Sequence, residues 1–267
     1  MNNEVSAILM GGLGNYMFQI AAAYAYSKRY GLHVGFNCTE SSGPHWHVTE
    51  YRNNVLKDID LYHVRKKEFI QHSEKGFHYQ EIPNYNSNVL LHGYFQSEKY
   101  FKDYEDEIRD LFMTYDVELS DELKELFNNE NTCSIHVRRG DYLNSPNHHP
   151  TQDMNYYMKA IKKMPKDSVF LIFSDDMEWC KQNFPDLPEK FKFIEGNLDY
   201  ESNKDYEDLY IMSHCKNNII CNSTFSWWGA WLNRNEDKIV IAPNVWFGPA
   251  YSNNNTEDLY CEGWIRI

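Results

Sequence analysis

The sequence predicts an α/β fold that opens with a Rossmann-like half and continues as a parallel sheet, and three observations support this prediction. The chain opens with a short apolar strand, a glycine-rich loop and a helix, which is how a Rossmann domain begins. In the second half, apolar strands are separated by single helices, an order that produces a parallel sheet. With 267 residues, the chain is long enough for one large domain or for two small ones that each bury a core.

The N-terminal half begins with a predicted strand at Val5–Met10 and a loop at Gly11–Asn15. A helix follows, because apolar side chains then recur at helical spacing and Gly31 is a suitable C-terminal stop. These side chains are Met17, Ile20, Ala21 and Tyr24. A second strand is expected at Leu32–Phe36.

The rest of this half is less regular. Residues 38–87 are polar and rich in His and Asn, and their pattern predicts no defined element. A strand is expected at Val89–Phe95, followed by acidic helices over Lys99–Phe112 and Asp121–Phe127. The polar run Asn128–Asn131 is the best hinge by composition. We therefore expect an N-terminal domain over residues 1–128 and a C-terminal domain with its tail over residues 129–267.

After this run, the sequence alternates between strands and helices. The predicted strands are Cys133–Val137, Val169–Phe173, Phe191–Ile194, Asn218–Cys221 and Lys238–Ala242. The predicted helices are Asp153–Lys163, Met177–Asn183, Tyr206–His214 and Ser226–Asn233. In parallel sheets of this kind, ligands bind at the carboxyl ends of the strands.

Charge and composition exclude several classes of function. The net charge is −13, from 39 acidic and 26 basic residues, so the surface repels nucleic acid and no such partner is expected. The chain shows neither a signal-peptide pattern nor an apolar run long enough to span a bilayer. We therefore expect a cytoplasmic protein without an integral membrane segment, and peripheral membrane association stays open. The six cysteines show no C-x-x-C pair, which argues against zinc sites and disulfides, and Cys133 and Cys221 are expected to be small buried side chains.

Three of the predicted strands end in polar clusters. The clusters are Arg138-Arg139-Gly140-Asp141, Ser174-Asp175-Asp176 and Asn222-Ser223-Thr224-Phe225-Ser226. In a parallel sheet they lie at one edge, where paired guanidiniums can hold phosphate oxygens as lysine cannot. Carboxylates can read the edge of a base there, and hydroxyls at a helix N-terminus can bind a further phosphate oxygen.

Each cluster also has a purely structural explanation. Arg138 and Asp141 can form an ion pair, whereas Ser174 or Asp175 can cap a helix. A further helix cap can come from Ser223 or Ser226. Three such clusters at corresponding strand ends favour a site for a nucleotide diphosphate.

Three motifs identify a family that the chain resembles. They are Gly11-Gly12-Leu13-Gly14-Asn15, His136-Val137-Arg138-Arg139-Gly140-Asp141-Tyr142 and Ser223-Thr224-Phe225-Ser226-Trp227-Trp228-Gly229. In this order they resemble glycosyltransferase family 11, the α-1,2-fucosyltransferases that use GDP-fucose, and the resemblance spans Ile8 to Trp246. It implies a GT-B fold, in which two Rossmann-like domains face a cleft. The N-terminal domain would bind the acceptor and the C-terminal domain the GDP-fucose.

The resemblance also implies residue roles. Arg138 would bind the β-phosphate, Arg139 would brace the site, and His136 would lie against the guanine through its backbone. For the side chain of His136, a satisfied core histidine remains the alternative. Asp175 would read the guanine, and Thr224 and Ser226 would bond the diphosphate. Catalysis is assigned to Arg138 and Asp141, and substrate binding to Gly12, Gly14, Asn15, His136, Arg138, Arg139, Ser174, Asp175, Asp176, Asn222, Ser223, Thr224, Phe225 and Ser226.

The chain departs from the family at one position of the glycine-rich motif. The family usually has Gln after Gly14-Asn15, and Tyr16 stands here instead. This leaves the backbone role of the loop intact and puts in doubt a side-chain contact at that position. The loop is either a turn that needs glycine for its dihedral angles or a surface that faces the fucose.

The implied reaction is the inverting transfer of L-fucose from GDP-β-L-fucose to the 2-hydroxyl of a terminal β-galactose in a surface glycan. The guanidiniums would neutralise the leaving diphosphate, so we expect no metal ion and no other cofactor; Ser174-Asp175-Asp176 is not a D-x-D motif. Inversion calls for a proton acceptor. Its candidates are Glu50, Asp58, Asp60, His148 and His149, although a solvated loop is the preferred interpretation of His148-His149-Pro150.

Parts of the pattern also suggest three other functions. A dinucleotide-dependent oxidoreductase would use the loop Gly11–Gly14, but the G-x-G-x-x-G spacing is missing and the paired arginines stay unexplained. A non-catalytic sugar-binding protein could use the 20 tyrosines and 7 tryptophans, but it would not need a diphosphate clamp. The same fold with another GDP-sugar stays open, because the side chains that choose the sugar cannot be placed from the sequence.

Overall fold

The computed structural model describes residues 3–39, 48–63, 68–195 and 204–267. The chain divides into two compact units. The first comprises Met1–Asp116 and Asn254–Cys261, and the second comprises Val117–Asn253 and Glu262–Ile267. None of the helices in the described ranges is both long enough and apolar enough to cross a membrane.

The first unit contains a parallel sheet of four strands. Its strands and helices are β1 (Glu4–Ala7), α1 (Leu13–Tyr30), β2 (His33–Val34), β3 (Phe36–Asn37), β4 (Leu61–Tyr62), β5 (Ile70–Ser73), β6 (Val89–His92) and α2 (Glu105–Phe112). The sheet has the order β2-β1-β6-β5, and β3 and β4 form a separate parallel pair. The predicted strand–loop–helix–strand opening is therefore confirmed.

The second predicted strand is divided between two sheets. Residues 33–34 pair with β1, whereas Phe36 pairs with Leu61 in β4. Gly35 lies at the division, where an added Cβ would come 3.0 Å from the Asp60 carboxylate and 3.1 Å from the Tyr62 ring. Glycine therefore allows the chain to pass close to β4 as it changes sheets.

Glycines lie at both ends of α1; the predicted stop at Gly31 is confirmed, whereas the helix begins at Leu13, inside the predicted loop. Gly12 is the N-cap, and Gly31 closes the helix in the left-handed conformation with φ 67°, donating its N–H to the Ser27 carbonyl. The buried Gln19 side chain accepts from the Met10 N–H at 2.9 Å and donates to the Met10 carbonyl at 3.3 Å. This clamp fixes the backbone where β1 leads into the glycine-rich loop.

The second unit contains a parallel sheet of six strands. Its elements are α3 (Asp121–Asn129), β7 (Asn131–Val137), α4 (Met154–Ile161), β8 (Ser168–Ser174), α5 (Met177–Asn183), β9 (Phe191–Phe193), α6 (Asp205–His214), β10 (Asn217–Ile219), α7 (Thr224–Leu232), β11 (Val240–Ala242) and β12 (Ile265–Arg266). The strand order is β12-β11-β10-β7-β8-β9. Every neighbouring pair is parallel, which confirms the predicted sheet.

Apolar layers cover both faces of this sheet. On one face, Ile135 of β7 and Ile172 of β8 pack with Tyr157 of α4. On the other face, Leu171 and Phe173 pack with apolar residues of α6. Because β8 is buried on both faces, its sequence is almost continuously apolar.

The observed division differs from the expected one at residue 128. The expected hinge Asn128–Asn131 forms the end of α3 and the start of β7, and the units separate earlier, between Asp116 and Val117. Helix α3 belongs to the second unit because its apolar residues Leu123, Leu126 and Phe127 pack on the core that contains Leu171. The tail also differs, since residues 254–261 return to the first unit, where Asp258 accepts from Tyr79 N–H at 2.8 Å.

Candidate active site

The sheet order of the second unit brings the three predicted clusters together. Strands β10, β7 and β8 are neighbours, and the clusters follow their carboxyl ends. Arg138 Nε lies 3.1 Å from Asp175 Oδ2, which joins the first cluster to the second. The Tyr142 hydroxyl donates to the Asn222 carbonyl at 2.9 Å, which joins the segment after β7 to the third.

Asp175 organises the turn that follows β7. Its Oδ1 accepts the Arg139 N–H at 2.8 Å, and its Oδ2 accepts the Gly140 N–H at 3.1 Å. The side chain of Asp175 is 1% exposed, so both oxygens point into the protein, where they accept hydrogen bonds from this turn and form an ion pair with Arg138. A carboxylate with two backbone donors and a guanidinium partner is well satisfied despite its burial.

Arg138 lies between two carboxylates. Besides Asp175, its guanidinium contacts Asp141, with Nε at 3.0 Å and a terminal nitrogen at 2.8 Å from Oδ1. The expected ion pair of Arg138 with Asp141 is therefore present. The Arg138 side chain is 17% exposed and that of Asp141 is 49% exposed, so the partner on the outer side is the more accessible one.

Arg139 is oriented by a carboxylate and an indole ring. Its Nε donates to Asp176 Oδ2 at 2.9 Å, and its guanidinium carbon lies 4.2 Å from the centre of the Trp179 ring. Asp176 also accepts from the Trp179 N–H at 3.2 Å, and it caps α5 in place of the expected Ser174 or Asp175. Ser174 instead accepts the Asp176 N–H through its hydroxyl. The terminal nitrogens of Arg139 have no hydrogen-bond partner among the described residues.

His136 is a buried neutral histidine. Its Nδ1 lies 3.2 Å from the Cys221 Sγ, and its ring lies 5.5 Å from that of Phe225. Burial, and to a smaller extent the charge of Arg138, lower the pKa of His136 to about 3, whereas burial raises the pKa of Cys221 to about 12. Both residues are 2% exposed or less, which confirms that Cys221 is a small buried side chain and supports the structural interpretation of the His136 ring.

The hydroxyls of the third cluster face two different environments. Ser226 is buried and donates to backbone carbonyls, at 3.2 Å to Ser223 and at 3.4 Å to Cys221. Ser223 is the N-cap of α7, yet its side chain makes no capping hydrogen bond. Neither Ser223 nor the part-exposed Thr224 has a hydroxyl partner among the described residues. The hydroxyl of Ser226 is thus engaged by the backbone, whereas those of the buried Ser223 and the part-exposed Thr224 are not.

Asn222 has a structural role in this arrangement. Its amide nitrogen donates at 3.0 Å to the carbonyls of Pro150 and Trp246, and its Oδ1 accepts from Gln152 at 3.0 Å. All polar atoms of its side chain are thus engaged. Asn222 therefore ties the loop before α4 to the segment after β11.

His149 packs in an aromatic cluster rather than in a solvated loop. Its ring stacks on Tyr142 at 4.9 Å and lies 5.8 Å from Phe247, while Arg138 lies 5.8 Å from the Tyr142 ring. Burial lowers the pKa of His149. His148 is exposed, and so are the three candidate bases of the first unit, Glu50, Asp58 and Asp60.

The glycine-rich motif lies in the first unit, after β1. Gly11 has φ 86°, a backbone conformation that favours glycine, and an added Cβ would come 2.2 Å from the Asn15 amide nitrogen. Both the dihedral angle and the close contact therefore call for glycine here. Gly12 caps α1, and Gly14 is buried within it. Tyr16 is fully buried, so the departure from the family adds a core side chain instead of a ligand contact.

Sequence reasoning missed three residues that shape these sites. Tyr142 and Trp179 flank the two arginines, and their positions one residue after Asp141 and at the third position of α5 could have suggested this. Gln96, which follows β6, contacts Asn15, which follows the neighbouring strand β1, and no local pattern shows a pairing of residues so distant in sequence. Within the described ranges, no group of three or more His, Cys, Asp or Glu side chains could hold a metal ion.

The chain is similar in sequence to several known transferases. The chain is 32% identical to the O-antigen biosynthesis glycosyltransferase WbnK of Escherichia coli, across 97% of this chain and 99% of that protein. It is 31% identical to an α-1,2-colitosyltransferase of Escherichia coli, across 98% of each. A galactoside 2-alpha-L-fucosyltransferase of Caenorhabditis elegans is 30% identical, across 55% of this chain and 43% of that protein.

The fold resembles that of a known transferase. The crystal structure of fucosyltransferase NodZ from Bradyrhizobium matches with a TM-score of 0.50 and 13% identity, across 86% of this chain and 91% of that one. This likeness confirms the predicted fold class, α/β with two Rossmann-like domains of the GT-B type. The sequence model of glycosyl transferase family 11 matches residues 6–267. The chain therefore belongs to glycosyl transferase family 11.

Proposed function

We propose that the protein is a galactoside α-1,2-fucosyltransferase. It transfers L-fucose from GDP-β-L-fucose to the 2-hydroxyl of a terminal β-galactose, with inversion at the fucose carbon that reacts. One observation carries this proposal: Arg138 and Arg139 are both held by carboxylates at the carboxyl end of β7, and both side chains stay partly exposed. The relative from Caenorhabditis elegans, named for this activity, supports the choice of sugar and linkage.

The two arginines provide the charge that the reaction needs. Fucose leaves GDP through an oxocarbenium-like state while negative charge grows on the β-phosphate. Arg138 binds that phosphate, and Asp141, its exposed partner, orients the guanidinium. Because the carboxylates fix both guanidiniums beforehand, little reorganisation is needed as charge develops. This neutralisation is why we expect catalysis without a metal ion.

The N-terminus of α7 offers a second contact for the diphosphate. The hydroxyls of Ser223 and Thr224 lie there without a partner among the described residues, and helix N-termini favour anions. Ser226 holds the loop through its bonds to the Ser223 and Cys221 carbonyls. We therefore assign the diphosphate contact to Thr224 and a positioning role to Ser226.

Asp175 acts as a positioning residue in this proposal. A carboxylate that reads guanine must present an oxygen to the ligand, and both oxygens of Asp175 receive donors from the turn 138–140 instead. The side chain is also inaccessible. Asp175 thus holds the arginine-bearing turn, and guanine selection falls to other groups of the site.

A product assay tests the proposed reaction. The protein is incubated in EDTA with GDP-fucose and an acceptor that ends in β-galactose, and NMR identifies the new linkage. We expect an α-1,2-linked fucose. Absence of any transfer would favour the non-catalytic sugar-binding alternative, whereas a requirement for added Mg²⁺ or Mn²⁺ would contradict the metal-independent mechanism.

A second candidate function keeps the site and changes the donor. The relative named α-1,2-colitosyltransferase, which the chain matches over nearly its whole length, favours transfer of colitose with the same linkage. The same assay with GDP-colitose and GDP-mannose separates the candidates. Faster turnover of GDP-colitose than of GDP-fucose would establish the second candidate in place of the first.

A further inference from the structure

We propose that Asn15 and Gln96 form a binding site for a sugar hydroxyl at the carboxyl edge of the first unit's sheet. The inference rests on the proposed function, because it names the chemical class that this edge takes: an uncharged pyranose with free hydroxyls. The hydroxyl would donate its hydrogen to the amide oxygen of Gln96 and accept a hydrogen from the amide nitrogen of Asn15.

The sheet topology brings the two amides together. Asn15 lies in the first turn of α1, after β1, and Gln96 lies in the loop after β6. Strands β1 and β6 are parallel neighbours, with Ala7 opposite Leu91, so both residues follow carboxyl ends. The Gln96 amide nitrogen donates to Asn15 Oδ1 at 2.9 Å, which makes the two side chains one unit.

Two polar atoms of this amide pair have no hydrogen-bond partner among the described residues: one acceptor, on Gln96, and one donor, on Asn15. Gln96 is 6% exposed, and its Oε1 is shielded from solvent without a hydrogen-bond partner among the described residues. Asn15 is part-exposed, and no described residue accepts from its amide nitrogen. A hydroxyl both donates and accepts, so one sugar hydroxyl can satisfy both atoms once the Gln96 side chain rotates towards it. Exchanging O and N in both amides would keep the bond between them and make the free Gln96 atom a donor and the free Asn15 atom an acceptor, which a hydroxyl also satisfies.

The backbone holds Gln96 in place at a strained residue. Phe95 has φ 53°, a conformation that is uncommon for a side chain of this size. The Glu74 carboxylate accepts the Tyr94 N–H at 2.7 Å and the Phe95 N–H at 3.0 Å, and Gly93 lets Glu74 approach. Strain of this kind persists only where the surroundings enforce it, and it is frequent at ligand sites.

The chemistry of the pair favours a sugar over a phosphate. Two carboxamides bring no net charge, and neither side chain hydrogen-bonds to a cationic side chain among the described residues, whereas tight phosphate binding draws on such charges. Carboxamides donate and accept at fixed positions, which suits the hydroxyls of a pyranose. A buried water could occupy the same place. The binding experiment below distinguishes a bound water from a bound sugar.

Free monosaccharides test the site without nucleotide or turnover. Saturation-transfer NMR is recorded with L-fucose and with galactose on the wild type and on Gln96→Met, which keeps an unbranched side chain and removes the amide. Gln71→Met makes the same change at an exposed position of the same sheet and serves as the control. We expect the sugar signal to persist in the control and to fall about tenfold in Gln96→Met. No signal on the wild type, or an unchanged signal in Gln96→Met as expected for a bound water, would overturn the inference.

A second variant protects the test against misfolding. Asn15→Asp keeps an oxygen for the Gln96 amide nitrogen and removes only the donor on the other side. It should weaken the sugar signal while thermal stability stays close to that of the wild type. Loss of sugar binding only in parallel with loss of stability, in both variants, would make the pair purely structural.

Kinetics identify which sugar the pair holds. If the hydroxyl belongs to the acceptor, Gln96→Met raises the acceptor KM about tenfold and leaves the affinities for GDP and GDP-fucose unchanged. If it belongs to the donor, GDP-fucose binds more weakly while GDP does not. Equal loss of GDP affinity would contradict a sugar site. A wild type that binds free sugar but never turns over GDP-fucose would contradict the proposed function and leave this inference standing.

Discussion

Arg138 and Asp175 form an ion pair in which Nε lies 3.1 Å from the Oδ2 of a carboxylate that is 1% exposed. The pair joins the ends of two neighbouring strands, β7 and β8. It fixes the guanidinium from the protein side and leaves Asp141 as the exposed partner. The guanidinium is thus held in place by the protein itself, and the following predictions test what that organisation does.

Arg138→Ala should lower the transfer rate about a hundredfold or more. A charge-assisted hydrogen bond contributes about 1.5–3 kcal/mol, and more where charge develops in a dry site. Steady-state kinetics measure the loss, and circular dichroism with thermal unfolding verifies the fold. Arg138→Lys keeps the charge without the planar fork and should recover only part of the rate. An Arg138→Ala variant that does not fold would show that the arginine is structural.

Asp175→Asn should weaken GDP binding without changing base preference. An amide can accept only one of the two backbone N–H groups and places its own N–H against the other, so the turn after β7 loses a hydrogen bond, which costs about 1–3 kcal/mol of stability. Calorimetry with GDP and ADP measures both affinities. A selective gain of ADP binding would instead return Asp175 to the role of guanine reader.

Thr224→Val and Ser226→Ala should differ in their effects. The first removes a hydroxyl that lacks a partner among the described residues, so we expect weaker GDP-fucose binding, by about tenfold, and unchanged stability. The second removes two backbone contacts, so we expect a lower thermal midpoint with a smaller effect on binding. Thermal unfolding and calorimetry are run on both. The opposite pattern would reassign the diphosphate contact to Ser226.

His136 should make the folded state sensitive to acid. Its pKa is about 3 when folded, against about 6.5 when unfolded, so the unfolded state binds more protons between these values. Stability therefore falls as the pH drops through the unfolded pKa, and the loss from His136 reaches about 2 kcal/mol at pH 5. Denaturant unfolding of the wild type and of His136→Gln between pH 7.5 and 5 measures the difference in slope. If the free energy of unfolding depends on pH with the same slope in the wild type and in His136→Gln, the buried neutral histidine is contradicted. His148→Gln, the same change at an exposed histidine, is the control.

The elements that could be predicted from the sequence are the buried ones, because burial requires a run of apolar residues. Strand β8 is buried along its whole length, and the strand predicted there, Val169–Phe173, lies within the observed bounds. Strands β5 and β12 were missed because they are exposed edge strands, short or polar in sequence, so their residues show little apolar signal.

The sequence was sufficient to predict where the candidate site lies, but it did not determine what each residue does there. Clusters after adjacent parallel strands must share an edge, so the neighbourhood of Arg138 and Asp175 followed from strand order. Whether a side chain in a motif faces a ligand or its own backbone depends on tertiary contacts. Ser226 and Asn222 donate to backbone carbonyls for this reason, and Gln96 contacts Asn15 at the end of a neighbouring strand.

Binding of the donor tests the central claim most directly. Wild type and Arg138→Ala are titrated calorimetrically with GDP-fucose in EDTA, with ADP-ribose as the control ligand. The account predicts micromolar binding of GDP-fucose to the wild type, about −8 kcal/mol, with no binding of ADP-ribose and a large loss of affinity in Arg138→Ala. Failure of GDP-fucose to bind, or binding that Arg138→Ala leaves unchanged, would contradict the assignment of this strand end to the donor diphosphate.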